Sequence, residues 1–108
     1  MNAPLRLRAA YKAGVKFALG TDATSDIHGR NGEEFKYMVD ILGATPMEAI
    51  TVGTMNGATL LGVERELGSV TTGKLADLVA VKGDPLRDIS LLAKVSYVMK
   101  GGVMTKQP

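Results

Sequence analysis

A mostly apolar six-residue run, Val15 to Gly20, follows a helix-forming segment with almost no linker and leads directly into Thr21-Asp22. This junction narrows the folds open to the chain. Val15, Phe17 and Leu19 fall on one face and Ala18 on the other, with the β-branched and aromatic residues that suit a pleated strand. Upstream, Pro4 to Ala13 reads as a helix: Pro4 suits a first turn, Leu5, Ala9, Ala10 and Ala13 form an apolar stripe, and Gly14 can take the left-handed closing conformation. A helix that passes so abruptly into a strand is the junction of βα repeats, in which the helix covers the sheet and the next strand enters parallel. The expected class is α/β, with the chain beginning mid-pattern. Asp22 then stands at a strand's carboxyl end, where parallel α/β folds bind ligands.

Strand-to-helix loops usually run about 2 to 6 residues, so the ten from Asp22 to Asn31 suggest a binding loop. A helix is expected over Gly32 to Leu42, with Phe35, Met38, Val39 and Leu42 on one face, Glu33 and Glu34 near its positive end, and Gly43 ending it. Thr45-Pro46-Met47-Glu48 spells a capping box, with Thr45 as N-cap and Glu48 reaching back to the cap amide. The helix it opens is expected to turn Met47, Ile50 and Thr51 inward, with Met38, Leu42 and Met47 as a core stripe. Gly53 weakens or ends it before a short helix around Ala58 to Leu61, closed by Gly62. From Gly68 the period shifts to two. Leu78, Val79 and Val81 form one run and Val95, Tyr97, Val98 and Met99 another, separated by Gly83-Asp84-Pro85. Leu91 and Leu92 fit one helical turn between them. Gly101-Gly102 fits a two-residue hairpin turn joining Val95 to Lys100 with Val103 to Lys106.

Composition excludes several classes of function. The formal net charge is +2, with acidic and basic residues interleaved, and there is no clustered basic face for a phosphate backbone. Nucleic acid is not expected as a partner. The absence of cysteine rules out disulfides and thiolate metal sites and fits a reducing compartment. No apolar run approaches the roughly 18 residues of a membrane span, and the N-terminus lacks a signal peptide's apolar core. A cytoplasmic location is the default expectation, although a region ahead of Met1 could carry a signal peptide.

Read residue by residue, the acidic and polar groups leave alternatives open. Asp22 could carry chemistry, or could hydrogen-bond loop amides as an Asx-turn or cap. His28, the single histidine, could face a ligand or be solvated. Asp26 reads as a solvated loop carboxylate. Asn56, Lys74 and Asp77 read as structural.

Five motifs occur in order: Leu19-Gly20-Thr21-Asp22-Ala23; His28-Gly29-x-Asn31; Thr45-Pro46-x-Glu48-Ala49-Ile50; Thr54-x-Asn56-x-Ala58-x-x-Leu61-Gly62; and Gly68-Ser69-x-x-x-Gly73-Lys74-Leu75-Ala76-Asp77-Leu78-Val79. Together they resemble the C-terminal part of a metal-dependent amidohydrolase of the imidazolonepropionase and Xaa-Pro dipeptidase-like branch, from about Tyr11 to Val103. The last motif is the most specific.

The resemblance implies that residues 1–62 are the C-terminal segment of a (β/α)8 barrel, with its last strand, catalytic loop and helices. Residues 63–108 would be strands of a composite β-sandwich. It implies a divalent metal, zinc by analogy, which lowers the pKa of bound water to about 7. Asp22 would touch the metal, take a proton from that water and protonate the leaving amine. His28 and Asn31 would be substrate-binding, and the substrate a small amide, peptide or cyclic amide.

The family's other ligands, a His-x-His pair, a carboxylated lysine or glutamate, and two further histidines, have no match here. A catalytic zinc site has three protein ligands plus water, so the chain alone is expected to be inactive. A lone barrel strand also leaves two rows of backbone groups unpaired. The remainder of the barrel, another chain or self-association is expected to cover them. The rival expectation is a non-catalytic truncated α/β module that self-associates.

Overall fold

The computed structural model describes residues 2–108. Helix α1 (Ala3–Lys12) starts where Asn2 accepts from the Leu5 amide at 3.1 Å with proline in its first turn. The expected helix after the loop is a composite. A 3-10 turn (Asn31–Glu33) leads into a short helix α2 (Glu34–Tyr37), which widens to a π turn (Met38–Leu42) and stops at left-handed Gly43. Arg8 of α1 donates from Nε to the Ile41 carbonyl (2.9 Å) and from Nη2 to the Asp40 carbonyl (2.8 Å). It thereby satisfies acceptors that the helix end leaves unpaired.

The capping box forms as spelled, with Glu48 accepting from the Thr45 amide and Thr45 from the Glu48 amide, and it opens α3 (Pro46–Gly53). Those hydrogen bonds hold the Glu48 carboxyl below its ordinary range. Helix α4 (Met55–Leu61) follows and ends at left-handed Gly62. The buried apolar core is Leu42, Ala44, Ala49, Val52, Ala58 and Ile89. This corrects the expected inward face of α3: Ala49 and Val52 are buried, Ile50 is half-buried, and Met47 and Thr51 are exposed. The small residues face α2 and α4 because close helix approach needs them, which leaves Met47 outside.

Strands β1 (Leu78–Val81), β2 (Val95–Lys100) and β3 (Val103–Lys106) form an antiparallel sheet in that order. The expected hairpin is present, with Lys100 opposite Val103 and positive φ at both Gly101 and Gly102, as a two-residue hairpin turn demands. Its tip is stitched to the start of β1. The Gly101 amide donates to Asp77 Oδ1 (2.8 Å), Lys100 pairs with Asp77, and the Gly102 amide donates to the Ala76 carbonyl. The expected helical turn at Leu91 and Leu92 is a 3-10 turn, Ile89–Ala93.

The Lys100 hydrogen bond, then the Gly101 amide, depresses the Asp77 carboxyl below its ordinary value. A depressed carboxylate contributes stability that is full above its unfolded value, about 3.9, and lost as pH falls through the lower folded value. Acid titration followed by NMR is expected to release the Lys100–Gly101 tip in that window. Asp77→Asn is expected to remove the dependence, and an unchanged titration would show that the clamp is unimportant.

One expected element is absent. Residues 15–20 form no β-ladder, because a ladder needs a neighbouring strand and none of the described strands pairs with them. The segment is suspended from the helices instead: the Leu19 amide donates to the Val52 carbonyl (3.3 Å) and Asn56 Nδ2 to the Phe17 carbonyl (2.8 Å). Phe17 meets Tyr11 edge to face at 5.9 Å.

Candidate active site

Asp22 follows this suspended segment and is exposed. Its φ of +45° makes it the one non-glycine residue in left-handed conformation among those described. Such backbone is uncommon outside glycine, is tolerated best by asparagine and aspartate, and clusters at functional sites. Its position is fixed from behind. Besides the Val52 and Asn56 bonds, Gly53 leaves room for close packing: a Cβ there would lie 2.4 Å from the Phe35 ring and 3.3 Å from Leu19.

Beyond Asp22 the chain turns twice, with the Ile27 amide on the Thr24 carbonyl and the Arg30 amide on the Ile27 carbonyl. Asn31 then returns to donate from Nδ2 to Thr21 Oγ1 at 3.0 Å, so the two ends of the loop are tied together. A hollow of about 230 Å³ opens beside this tie, lined by Thr21, Ile27, Arg30, Asn31, Glu33, Glu34 and Tyr37. Arg30 donates to both Glu33 oxygens (2.9 and 2.8 Å), which lowers the Glu33 carboxyl and raises the guanidinium. That pair is exposed and stabilises little.

Of the three site residues expected from sequence, Asn31 lines the hollow, while Asp22 and His28 stand outside its wall. His28 is exposed and has no hydrogen-bond partner among the described residues. Asp26 accepts from Ser25 Oγ at 3.0 Å, a local loop contact. Asn56, Lys74 and Asp77 make structural contacts: Asn56 holds residue 17, Lys74 donates to the Glu64 and Leu67 carbonyls, and Asp77 clamps the hairpin. Among the described residues no three His, Cys, Asp or Glu side chains cluster closely enough to hold a metal ion. Thr21 and Arg30 were not anticipated. Thr21 acts through a partner ten residues away, and only the unusual loop length hinted at it.

The profile of the amidohydrolase family matches residues 5–105. The chain belongs to that family. Ochratoxinase from Aspergillus niger is 37% identical over 105 residues, covering 94% of this chain and 22% of that enzyme. Imidazolonepropionase from Symbiobacterium thermophilum is 38% identical over 82 residues, covering 73% of this chain and 19% of the enzyme. Among solved structures, a Xaa-Pro dipeptidase with methionine bound in its active site superposes with a TM-score of 0.90 at 50% identity, over 95% of this chain and 25% of that one. The chain thus spans a quarter or less of the length of these relatives. The resemblance to Xaa-Pro dipeptidase-like and imidazolonepropionase-like amidohydrolases is borne out, as is a mixed helix-and-sheet fold of the amidohydrolase type.

Proposed function

We propose that the chain supplies the last-strand segment, acid-bearing loop and sandwich strands of a hydrolase that cleaves amide, peptide or cyclic amide C–N bonds, with Asp22 as its proton carrier. The observation that carries this reading is the placement of Asp22, held left-handed at the end of a segment suspended from α3 and α4, in an amidohydrolase fold. As water attacks the carbonyl carbon, the carboxylate takes its proton. It returns that proton to the leaving nitrogen as the C–N bond breaks, which is general base and then general acid work by one group. Asn31, on the wall of the hollow, and His28, three residues before it in the loop, contact the substrate.

Among the described residues the donor set does not fit a metal by itself, since one exposed carboxylate falls short of the three protein ligands of a catalytic site. Metal dependence is therefore proposed for an assembly in which ligands from elsewhere join Asp22.

The surface favours such an assembly. The chain exposes 7612 Å², roughly 1,800 Å² more than a folded monomer of its mass is expected to show. Val15, Val79 and Val103 are more than half exposed. The remainder of a barrel, or another chain, covers this surface. Light scattering of the isolated chain is expected to report a mass above 11.4 kDa. A monomer of 11.4 kDa would show that this exposed surface does not drive assembly. The direct test is hydrolysis of methionyl-proline and a panel of N-acyl amino acids by the chain joined to a relative's remaining barrel. No turnover on any member, with metal supplied and the barrel folded, would overturn the hydrolase reading.

A further inference from the structure

The connection between β1 and β2 reaches back to the acid-bearing loop. The Ile89–Ala93 turn, anchored by buried Ile89 and capped by Asp88, packs against the turn at residues 31–33. At Gly32 the approach is backbone to backbone: a Cβ there would stand 2.3 Å from the Leu92 carbonyl oxygen and 2.9 Å from the Ala93 Cα. The φ of Gly32 lies outside the left-handed region, so contact and not conformation demands glycine. Gly14, Gly29 and Gly57, by contrast, have nothing within 4 Å of a Cβ.

We infer that Gly32 and the Thr21–Asn31 hydrogen bond are positioning elements for the Asp22 carboxylate, seating the acid-bearing loop on the Ile89–Ala93 turn. The inference rests on the reading of Asp22 as proton carrier. The loop has two fixed ends. Its front is hung from Val52 through Leu19, its rear is pressed on Leu92 through Gly32, and Asn31 Nδ2 on Thr21 Oγ1 locks the two together. A side chain at residue 32 has only backbone to push against and cannot be accommodated by a rotamer change. It must lift residues 31–33, and with them the amide that holds Thr21 beside Asp22. A displacement of about 1 Å at a reacting group can cost about 10²-fold in rate.

The test uses Gly32→Ala with Gly57→Ala as control in the ¹⁵N-labelled chain, reading backbone order parameters at Asp22 and His28. Values near about 0.85 in the parent are expected to fall below about 0.6 in Gly32→Ala and to stay unchanged in Gly57→Ala. Should Gly32→Ala fail to fold, Thr21→Val removes the hydroxyl without adding bulk and is expected to loosen the same residues. Thr21→Ser, which keeps the hydroxyl, is expected to restore them. In the joined hydrolase acting on methionyl-proline, Thr21→Val is expected to lower kcat about 10²-fold with KM within about twofold, and Thr21→Ser to recover it. Unchanged order parameters in the folded variants overturn the seat, whatever the activity. If the seat is confirmed but Asp22→Asn keeps full turnover, the proton-carrier reading is what fails.

Discussion

Asp22→Asn is expected to lower kcat of the joined hydrolase about 10²- to 10⁴-fold, the usual worth of a positioned acid–base group. The substitution is informative because of the backbone it occupies. At φ +45° most side chains are strained, but asparagine adopts left-handed conformation readily. The amide keeps the shape of the side chain and loses its charge, and with it the capacity to exchange a proton or to join a metal as an anionic ligand. The variant should therefore melt with the parent, so that a rate loss reports chemistry and not unfolding. Asp26→Asn, four residues along the same loop, is expected to leave turnover unchanged because its carboxylate is engaged by Ser25. Equal turnover for Asp22→Asn and the parent would remove Asp22 from the mechanism.

Leu42→Ala is expected to cost about 2–5 kcal/mol of stability, the range for emptying a filled core site. Leu42 is 2% exposed, the largest fully buried side chain, and most of its fellow core residues are alanine and valine. Such small neighbours cannot swing in to fill the space. A domain of this size has about 5–15 kcal/mol in all, and each kcal/mol moves Tm by about 4–8 °C. Thermal melting should thus show a fall of roughly 10 °C or more, whereas Leu60→Ala, at 75% exposure, should shift it little. A Leu42→Ala midpoint within a few degrees of the parent would mean that the core lies elsewhere.

Much of the local structure was legible because its causes are local. The Thr45 and Glu48 capping box, the stops at Gly43 and Gly62, and the Gly101-Gly102 hairpin each involve residues within about four positions of one another. The α3 face was misread because periodicity marks apolar residues without saying which neighbour will meet them. Alternation and residue type point to a strand over residues 15–20, yet a ladder depends on a partner that pattern alone cannot supply.

The same division runs through the candidate site. By itself the sequence determined the family, through five ordered motifs, and singled out Asp22 as an acid at the end of an apolar segment. It also identified the loop to Asn31 as long enough to bind. It took the packed molecule to show that Asn31 ties back to Thr21, that Gly32 rests on the Leu92 carbonyl, and that Asp22 is held left-handed. Those contacts join residues ten to sixty positions apart. Their geometry is set by how helices and turns pack, which no local propensity encodes.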